Sequence, residues 1–118
     1  MFELMIEDSF AAAHRLLNYE GLCENQHGHN WKVQIYYQDT NLDKAGMLID
    51  FKLLKNALNT VLNKLDHKDL NNLNTFIVQS PSSEAIAKYI YIEMKLIYKE
   101  ITKVSVWETE NSCATYWE

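Results

Sequence analysis

The spacing of apolar residues changes twice along this chain, and these changes limit the folds that it can adopt. In the segment 29–38, apolar side chains occupy alternate positions, which predicts a strand with one buried face formed by Trp31, Val33, Ile35 and Tyr37. A similar alternation, followed by small residues, predicts a long opening strand over 2–13. The segments 103–109 and 113–117 predict two more strands, which Glu110, Asn111 and Ser112 join as a hairpin.

Between these two pairs of strands, apolar residues recur at helical spacing. One stripe follows Gly46 and consists of Leu54, Leu58, Val61, Leu62 and Leu65, with Asp50 as the expected N-cap. A second helix is expected to be capped by Ser82 or Ser83, with the stripe Ile86, Ile90, Met94 and Ile97. The segment 66–81 is polar and turn-rich. The order ββααββ predicts an α+β fold with a four-stranded antiparallel sheet and two helices on one face.

Length and composition exclude several classes of protein. The chain has 118 residues and 47% hydrophobic residues, which suits a single domain over 1–118. No apolar run approaches the roughly 20 residues that span a bilayer, and the N-terminus lacks the pattern of a secretory signal. The net charge of −5, with no basic stripe, argues against nucleic acid. We therefore expect a cytoplasmic protein without nucleic-acid or membrane partners, and the sheet edges favour an oligomer.

The chain has four histidines, and three of them have the arrangement of a catalytic metal site. His27 and His29 are separated by Gly28, so on an extended chain both imidazoles point to the same side. His14 ends the first predicted strand, and an antiparallel partner would bring it beside this pair. Three imidazoles with an open fourth position are typical of catalytic zinc. A lone His-x-His pair is more often unrelated to metal; the third histidine and a nearby cysteine favour Zn²⁺.

The two cysteines are expected to stay free thiols in a reducing compartment. Cys23 lies four residues before His27 and has three possible roles. It can be a fourth ligand that closes a structural zinc site, a thiolate base or nucleophile beside the metal, or a buried structural thiol. Spacing does not distinguish these roles. Cys113, in the last predicted strand, is expected to be a small apolar packing residue.

Three further polar features are candidates for chemistry. His67 follows Asp66, and a carboxylate beside an imidazole can fix its tautomer and raise its basicity, although a charged dipeptide after a helix is commonly just solvated. Glu108, in a predicted strand, suits the paired N–H donors of an amino-pyrimidinone ring, although most strand glutamates face water. Arg15, next to His14, is the natural cation for a phosphate.

Taken together, these segments resemble the 6-pyruvoyltetrahydropterin and 6-carboxytetrahydropterin synthase family. The resemblance runs in order across nearly the whole chain. It rests on Phe10-Ala11-Ala12-Ala13-His14-Arg15-Leu16, Cys23-x₃-His27-Gly28-His29, Gly46-Met47-Leu48-Ile49-Asp50-Phe51, Leu65-Asp66-His67, Pro81-Ser82-Ser83-Glu84 and Trp107-Glu108-Thr109.

The resemblance implies a role for each candidate residue. Zinc would be held by His14, His27 and His29. Proton transfer would involve Cys23, Asp66 and His67. The substrate, a pterin triphosphate, would be bound by Glu108, Thr109, Ser82, Ser83 and Arg15. The implied architecture is the tunnelling fold, commonly a homohexamer of two stacked trimers with active sites at subunit interfaces.

The three residues between Cys23 and His27 resemble the 6-carboxy branch of the family, because the 6-pyruvoyl branch usually has a longer gap. That branch converts 7,8-dihydroneopterin triphosphate to 6-carboxy-5,6,7,8-tetrahydropterin, acetaldehyde and triphosphate, toward queuosine and other 7-deazapurines. The alternatives are the 6-pyruvoyl synthase, an aldolase-like activity on dihydroneopterin and a non-enzymatic, zinc-stabilised oligomer. The chain departs from the family pattern at Ser82, where threonine is frequent, and in the segment 18–26, which lacks a glycine after the cysteine.

Overall fold

The computed structural model of the protein describes residues 1–17, 25–77 and 79–118. The regular elements are five strands and two helices within these residues. They are β1 (Phe2–His14), β2 (His27–Asp39), α1 (Phe51–Leu62), β3 (Lys68–Asp69), α2 (Ser83–Ile97), β4 (Ile101–Thr109) and β5 (Ser112–Trp117), with short 3₁₀ turns at Leu70–Asn72 and Asn74–Phe76. The α+β class and the presence of two helices are therefore confirmed. Neither helix is long and apolar enough to cross a membrane within the described ranges.

The strands form one sheet in the order β3-β1-β2-β4-β5. β1 and β2 are antiparallel along their whole length, from the pair Phe2–Asp39 to the pair His14–His27. β4 adds to the other side of β2, and β5 follows β4 as the second half of the predicted hairpin, both antiparallel. The long β1–β2 ladder places the ends of these two strands, with their histidines, at one end of the sheet.

The expected four-stranded antiparallel sheet is wrong, because the sheet has five strands and is mixed. The fifth strand is β3, which pairs parallel to β1 through Ala12–Lys68 and Ala13–Asp69. The element order is therefore ββαβαββ. A strand of two residues has no apolar periodicity of its own, so the segment 66–81 was indistinguishable from a loop in the sequence.

The hydrophobic core lies between one face of the sheet and the two helices. The predicted face of β2 is buried, with Trp31 and Val33 fully inaccessible to solvent. α1 packs on β1, whereas α2 packs on β4 and β5. Both predicted stripes supply the core, with one exception: Ile97, in the last turn of α2, is 47% exposed.

Side-chain caps begin both helices. The Asp50 carboxylate accepts a hydrogen bond from the Lys52 amide, and Ser82 Oγ accepts one from the Ala85 amide. Each cap satisfies one of the amide groups that a first helical turn leaves without a partner. The two capping predictions are confirmed, and of the two candidates for α2 the cap is Ser82.

Candidate metal centre

Three imidazoles converge at the end of the sheet where β1 and β2 terminate. His14 and His27 are a directly opposed cross-strand pair, and His29 is opposed to Ala12. Because residues two apart on a strand share a face, His27, His29 and Trp31 all point toward the helix-covered side. The indole of Trp31 packs edge-on against His14 and His29, with ring centroids 4.8 and 5.3 Å apart. The buried indole of Trp31 therefore supports the rings of His14 and His29 from below.

The fourth member of this cluster is Glu108. Its Oε1 atom lies 3.0 Å from His14 Nε2, 3.0 Å from His29 Nε2 and 3.7 Å from His27 Nε2. One ligand atom from each of the four residues lies within 4.8 Å of the others. The ladder between β4 and β5 shifts register between Trp107 and Thr109, which places Glu108 at a β-bulge. Bulges commonly redirect a side chain next to a functional site.

Backbone carbonyls fix the tautomer of two of the rings. His14 Nδ1 lies 2.7 Å from the carbonyl oxygen of Pro81, and His27 Nδ1 lies 2.8 Å from that of Asn25. A carbonyl oxygen can only accept, so each Nδ1 carries the proton and the neutral ring presents a lone pair at Nε2. The Nε2 atoms of His14 and His27 are 3.1 Å apart. Two lone pairs at that distance repel each other unless a proton or a metal ion lies between them.

The third ring, that of His29, also has a nitrogen that can bind a metal ion. His29 Nε2 is buried and has no hydrogen-bond partner in the part of the chain that the structure describes, because the 3.0 Å contact with Glu108 is not aligned as a hydrogen bond. Burial lowers the pKa of His29, while the Glu108 carboxylate opposes this effect and His27 and His14 reinforce it. The neutral ring, with its lone pair free, is therefore favoured.

These donors fit a divalent metal. For ligands held tetrahedrally at about 2.0–2.1 Å from Zn²⁺, neighbouring ligand atoms lie roughly 3.3–3.5 Å apart. The separations of 3.0–3.7 Å among the closest pairs bracket that range. Three neutral imidazoles and a carboxylate form a ligand set suited to zinc, and the carbonyls of Pro81 and Asn25 provide the outer hydrogen bonds that orient such ligands. This group can bind a metal ion.

Comparison with known proteins identifies the family of this chain. The sequence profile described as 6-pyruvoyl tetrahydropterin synthase matches residues 3–118. The chain belongs to this family. It is 36% identical to the 6-carboxy-5,6,7,8-tetrahydropterin synthase of Synechocystis sp., over 98% of this chain and 93% of the relative. It is 32% identical to the 6-pyruvoyl tetrahydrobiopterin synthase of Drosophila melanogaster, over 92% and 75%.

The fold is also that of the family. The solved structure of 6-pyruvoyl tetrahydropterin synthase from Caenorhabditis elegans aligns over 99% of this chain and 95% of that chain, with a TM-score of 0.90 and 28% sequence identity. The resemblance stated from the sequence motifs is therefore confirmed at the level of family and fold. The roles of individual residues remain predictions.

The predicted proton-transfer pair of this family member lies at the β3 edge of the sheet. His67 Nδ1 is 3.0 Å from Asp66 Oδ2, and the His67 side chain is 82% exposed. Asp66 Oδ1 accepts a hydrogen bond of 2.9 Å from the Ala11 amide. This backbone hydrogen bond lowers the pKa of Asp66, and the hydrogen bond from His67 lowers it further. An ionised carboxylate therefore holds Nδ1, and Nε2 is left for exchange with a ligand.

The backbone at His67 has an unusual conformation, with φ = +57° in the left-handed region. Its amide donates to the carbonyl oxygen of Ala11 at 2.6 Å, where the chain turns into β3. A non-glycine residue in this region costs about 1–2 kcal/mol and recurs at functional sites. The sequence analysis singled out His67 as a neighbour of Asp66, but it contained no signal for this backbone conformation.

One open cleft connects the two groups. It has a volume of about 550 Å³ and is lined by the segments 11–13, 28–30 and 67–69. His29 of the metal group and His67 of the predicted pair both border it. A small molecule in this cleft would therefore contact elements that carry both kinds of chemistry.

The other predicted site residues are distributed around the same end of the fold. Ser82 and Ser83 are half-buried at the start of α2, next to Pro81, while Thr109 is exposed at the end of β4. Arg15 is exposed directly after His14. Cys23 lies outside the described residues. Cys113 is a free thiol that is exposed in the single chain, so the expectation of a small apolar packing residue is wrong there.

Sequence reasoning assigned Glu108 to substrate alone and did not place it in the metal group. The two assignments are compatible in principle, because a glutamate has two carboxylate oxygens and a flexible side chain. In the sequence, Glu108 is recognisable only as a residue near the end of a strand. That position does not reveal that its side chain lies beside the histidines at the ends of β1 and β2.

Proposed function

We propose that this chain is a zinc-dependent 6-carboxy-5,6,7,8-tetrahydropterin synthase. It would convert 7,8-dihydroneopterin triphosphate and water to 6-carboxy-5,6,7,8-tetrahydropterin, acetaldehyde and triphosphate, an early step toward queuosine and other 7-deazapurines. The observation that carries the proposal is the convergence of the lone-pair nitrogens of His14, His27 and His29, with Glu108 beside them, in a family of pterin synthases.

Two observations favour the 6-carboxy product over the 6-pyruvoyl product. The Synechocystis relative, which carries the 6-carboxy name, is 36% identical over 98% of the chain. In addition, three residues separate Cys23 from His27, as in the 6-carboxy branch that the sequence resembles. The 6-pyruvoyl synthase is the second candidate, because relatives with that name match the chain at 32% and 28% identity.

In the proposed mechanism, His14, His27 and His29 would hold zinc, which would supply Lewis-acid polarisation of the substrate side-chain hydroxyls. The carboxylate of Glu108 accepts the N–H donors of the pterin ring and orients it. Cys23, as a thiolate, removes a proton from the carbon next to the ring. His67 returns or relays a proton through Nε2, because Asp66 holds its Nδ1. Ser82, Ser83, Thr109 and Arg15 contact the ring and the triphosphate.

We also propose that the active unit is a homohexamer with active sites at subunit interfaces. Two features support a shared site. The His67 side chain is 82% exposed in the single chain. The sheet ends in β5 on one side and in the two-residue β3 on the other, and β3 pairs with β1 only at Ala12 and Ala13, so backbone groups of β5 and of the earlier part of β1 are available for pairing. A neighbouring subunit that joined its sheet at one of these edges would cover such a side chain.

The first test is mass spectrometry of the products after incubation of the zinc-loaded protein with 7,8-dihydroneopterin triphosphate. We expect 6-carboxy-tetrahydropterin and acetaldehyde. A pyruvoyl product would assign the chain to the second candidate, and unchanged substrate would favour a structural zinc site or a different pterin.

A variant separates catalysis from metal binding. Cys23→Ala is expected to abolish turnover while it retains one zinc per chain, measured by elemental analysis. Loss of the metal in this variant would instead identify Cys23 as a structural ligand and contradict its role as a base. Cys113→Ser, which alters the exposed thiol, is the matched control and should retain both activity and zinc.

A further inference from the structure

Near His14, the outer edge of β1, which faces away from β2, is hydrogen-bonded to the segment 66–69. In a strand, alternate residues direct both backbone groups to the same side. Ala11 uses this edge to bond Asp66 and His67, since its amide donates to Asp66 Oδ1 and its carbonyl accepts from the His67 amide. Ala13, two residues later, is paired with Asp69 of β3. This ladder lies beside the metal ligand His14.

The ladder continues after β3 ends, but side chains replace the backbone of a partner strand. The Arg15 amide donates to Asn71 Oδ1 at 2.8 Å, and Asn71 Nδ2 donates to the Arg15 carbonyl at 2.9 Å. A carboxamide has a carbonyl acceptor and N–H donors, so it can reproduce both bonds of a strand partner. Asn71 therefore clamps the residue that follows His14.

Ser80 makes the same kind of contact two residues further along. The Leu17 amide donates to Ser80 Oγ at 2.6 Å, and the hydroxyl donates to the Leu17 carbonyl at 3.1 Å. The residue after Ser80 is Pro81, whose carbonyl accepts from His14 Nδ1. The Ser80–Pro81 dipeptide thus makes two contacts in this region, one with the backbone of Leu17, after β1, and one with the ring of His14, at the end of β1.

We propose that Asn71 and Ser80 are positioning residues for the metal group. By holding the backbone at Arg15 and Leu17, they fix the path of the chain on one side of His14, while β3 fixes it on the other. Ser80 also sets the position of the Pro81 carbonyl, which determines the tautomer and orientation of the His14 ring. Neither residue contacts a ligand atom, so each acts through His14. The inference rests on the metal site of the proposed function.

The test is the zinc affinity of single variants, measured by competition with a chromophoric chelator. Asn71→Ala and Ser80→Ala are expected to weaken zinc binding by about tenfold each, as losses of outer hydrogen bonds around metal ligands typically do. Ser80→Thr retains the hydroxyl and should restore the affinity. Asn71→Asp retains the acceptor but not the donor, so we expect an intermediate value. The absorption spectrum of the Co²⁺-substituted protein should change in the two alanine variants.

Matched controls come from residues of the same type. Asn74→Ala and Ser9→Ala replace exposed side chains outside the ladder, and both should bind zinc as the wild type does. Melting of the metal-free proteins shows whether a variant is folded. Asn71→Asp, which keeps the size of the side chain, replaces Asn71→Ala if that variant does not fold, and Ser80→Gly replaces Ser80→Ala.

The outcomes separate this inference from the proposed function. Suppose that the wild type binds zinc and that Asn71→Ala and Ser80→Ala are less stable but bind zinc within about twofold of the wild-type affinity. Asn71 and Ser80 are then structural only, and the inference is wrong. If the wild type binds no zinc, the proposed function fails, and the inference with it. Weaker zinc binding in both alanine variants, with recovery in Ser80→Thr, supports the inference whatever pterin product is formed.

Discussion

Glu108 is the residue whose position most changes the interpretation of the site. The resemblance to pterin synthases assigns it to the substrate ring, whereas its Oε1 atom lies 3.0 Å from two imidazole nitrogens. In that position a carboxylate is both a possible fourth ligand and the negative charge that offsets a cation among three neutral rings. The two roles predict different consequences when the charge is removed.

We expect Glu108→Gln to weaken zinc binding by at least about tenfold, because the carboxamide is a poorer ligand and carries no charge. Chelator competition measures this affinity, and Glu110→Gln, in the exposed β4–β5 turn, is the control. Unchanged zinc affinity with weakened pterin binding would return Glu108 to the role of substrate anchor alone.

Asp66 predicts a dependence of stability on pH. Its hydrogen bond from the Ala11 amide lowers the pKa of this carboxyl below its ordinary value of 3.8. A group with a lower pKa in the folded state contributes stability above its unfolded pKa, and this contribution disappears as the pH falls through the folded pKa. Asn at this position can still accept the hydrogen bond from Ala11 but does not titrate.

The difference in melting temperature between the wild type and Asp66→Asn should therefore be largest near pH 6 and should shrink as the pH falls below 3.8. Thermal unfolding of the two metal-free proteins across this range measures it. A difference that stays constant with pH would show that ionisation of Asp66 does not contribute to stability.

Helix α2 connects the core to the candidate site through its first turn. Ser82 caps the helix, and the carbonyl of the residue before it, Pro81, accepts a hydrogen bond from His14, a proposed metal ligand. The segment that begins α2 therefore helps to orient the His14 ring. This is in addition to the pterin contact that the family resemblance implies for Ser82. Stability and substrate binding can be separated by substitution.

Ser82→Ala should lower the free energy of unfolding by about 1 kcal/mol, the usual effect of losing a side-chain cap. Ser82→Asn, which can also cap, should restore stability, and denaturant unfolding measures both variants. If Ser82 also contacts the pterin, KM rises in both variants, because the hydroxyl is absent from each. Recovery of KM together with stability in Ser82→Asn would contradict a direct contact.

The assembly of the whole molecule determines whether one chain contains a complete active site. In the single chain, His67 is mostly exposed, although it borders the same cleft as His29. If each site combines the metal group of one subunit with the Asp66–His67 pair of another, defects in the two groups can be placed in different chains. Mixed oligomers then contain some sites in which both groups are intact.

We expect His27→Ala and His67→Ala to be inactive separately and to regain activity when they are unfolded together and reassembled. Random mixing at equal amounts should restore about a quarter of the wild-type activity. Each variant reassembled alone is the control, and light scattering should give a mass of about 83 kDa for six chains of 13.8 kDa. No recovery in a mixed assembly of that mass would show that each site lies within one chain.

The main elements of the fold could be predicted from the sequence because their signals are local. Alternation in β2 and helical spacing in α1 and α2 reflect contacts between neighbours two to four residues apart, and the caps at Asp50 and Ser82 are equally local. The same local rule predicts that His27 and His29 share one face of β2. The antiparallel pairing of β1 and β2 places His14 beside them. The three histidines of the metal group could be predicted from the sequence for this reason.

The remaining features depend on contacts between distant parts of the chain. Glu108 reaches His14 across 94 residues, through a bulge that follows from the β4–β5 register. β3 exists only because β1 offers an unpaired edge, since two residues carry no periodicity, and Asn71 and Ser80 extend that edge with side chains. Local patterns contain no information about which distant edge a carboxylate or an amide will meet, so only the tertiary structure determined these contacts.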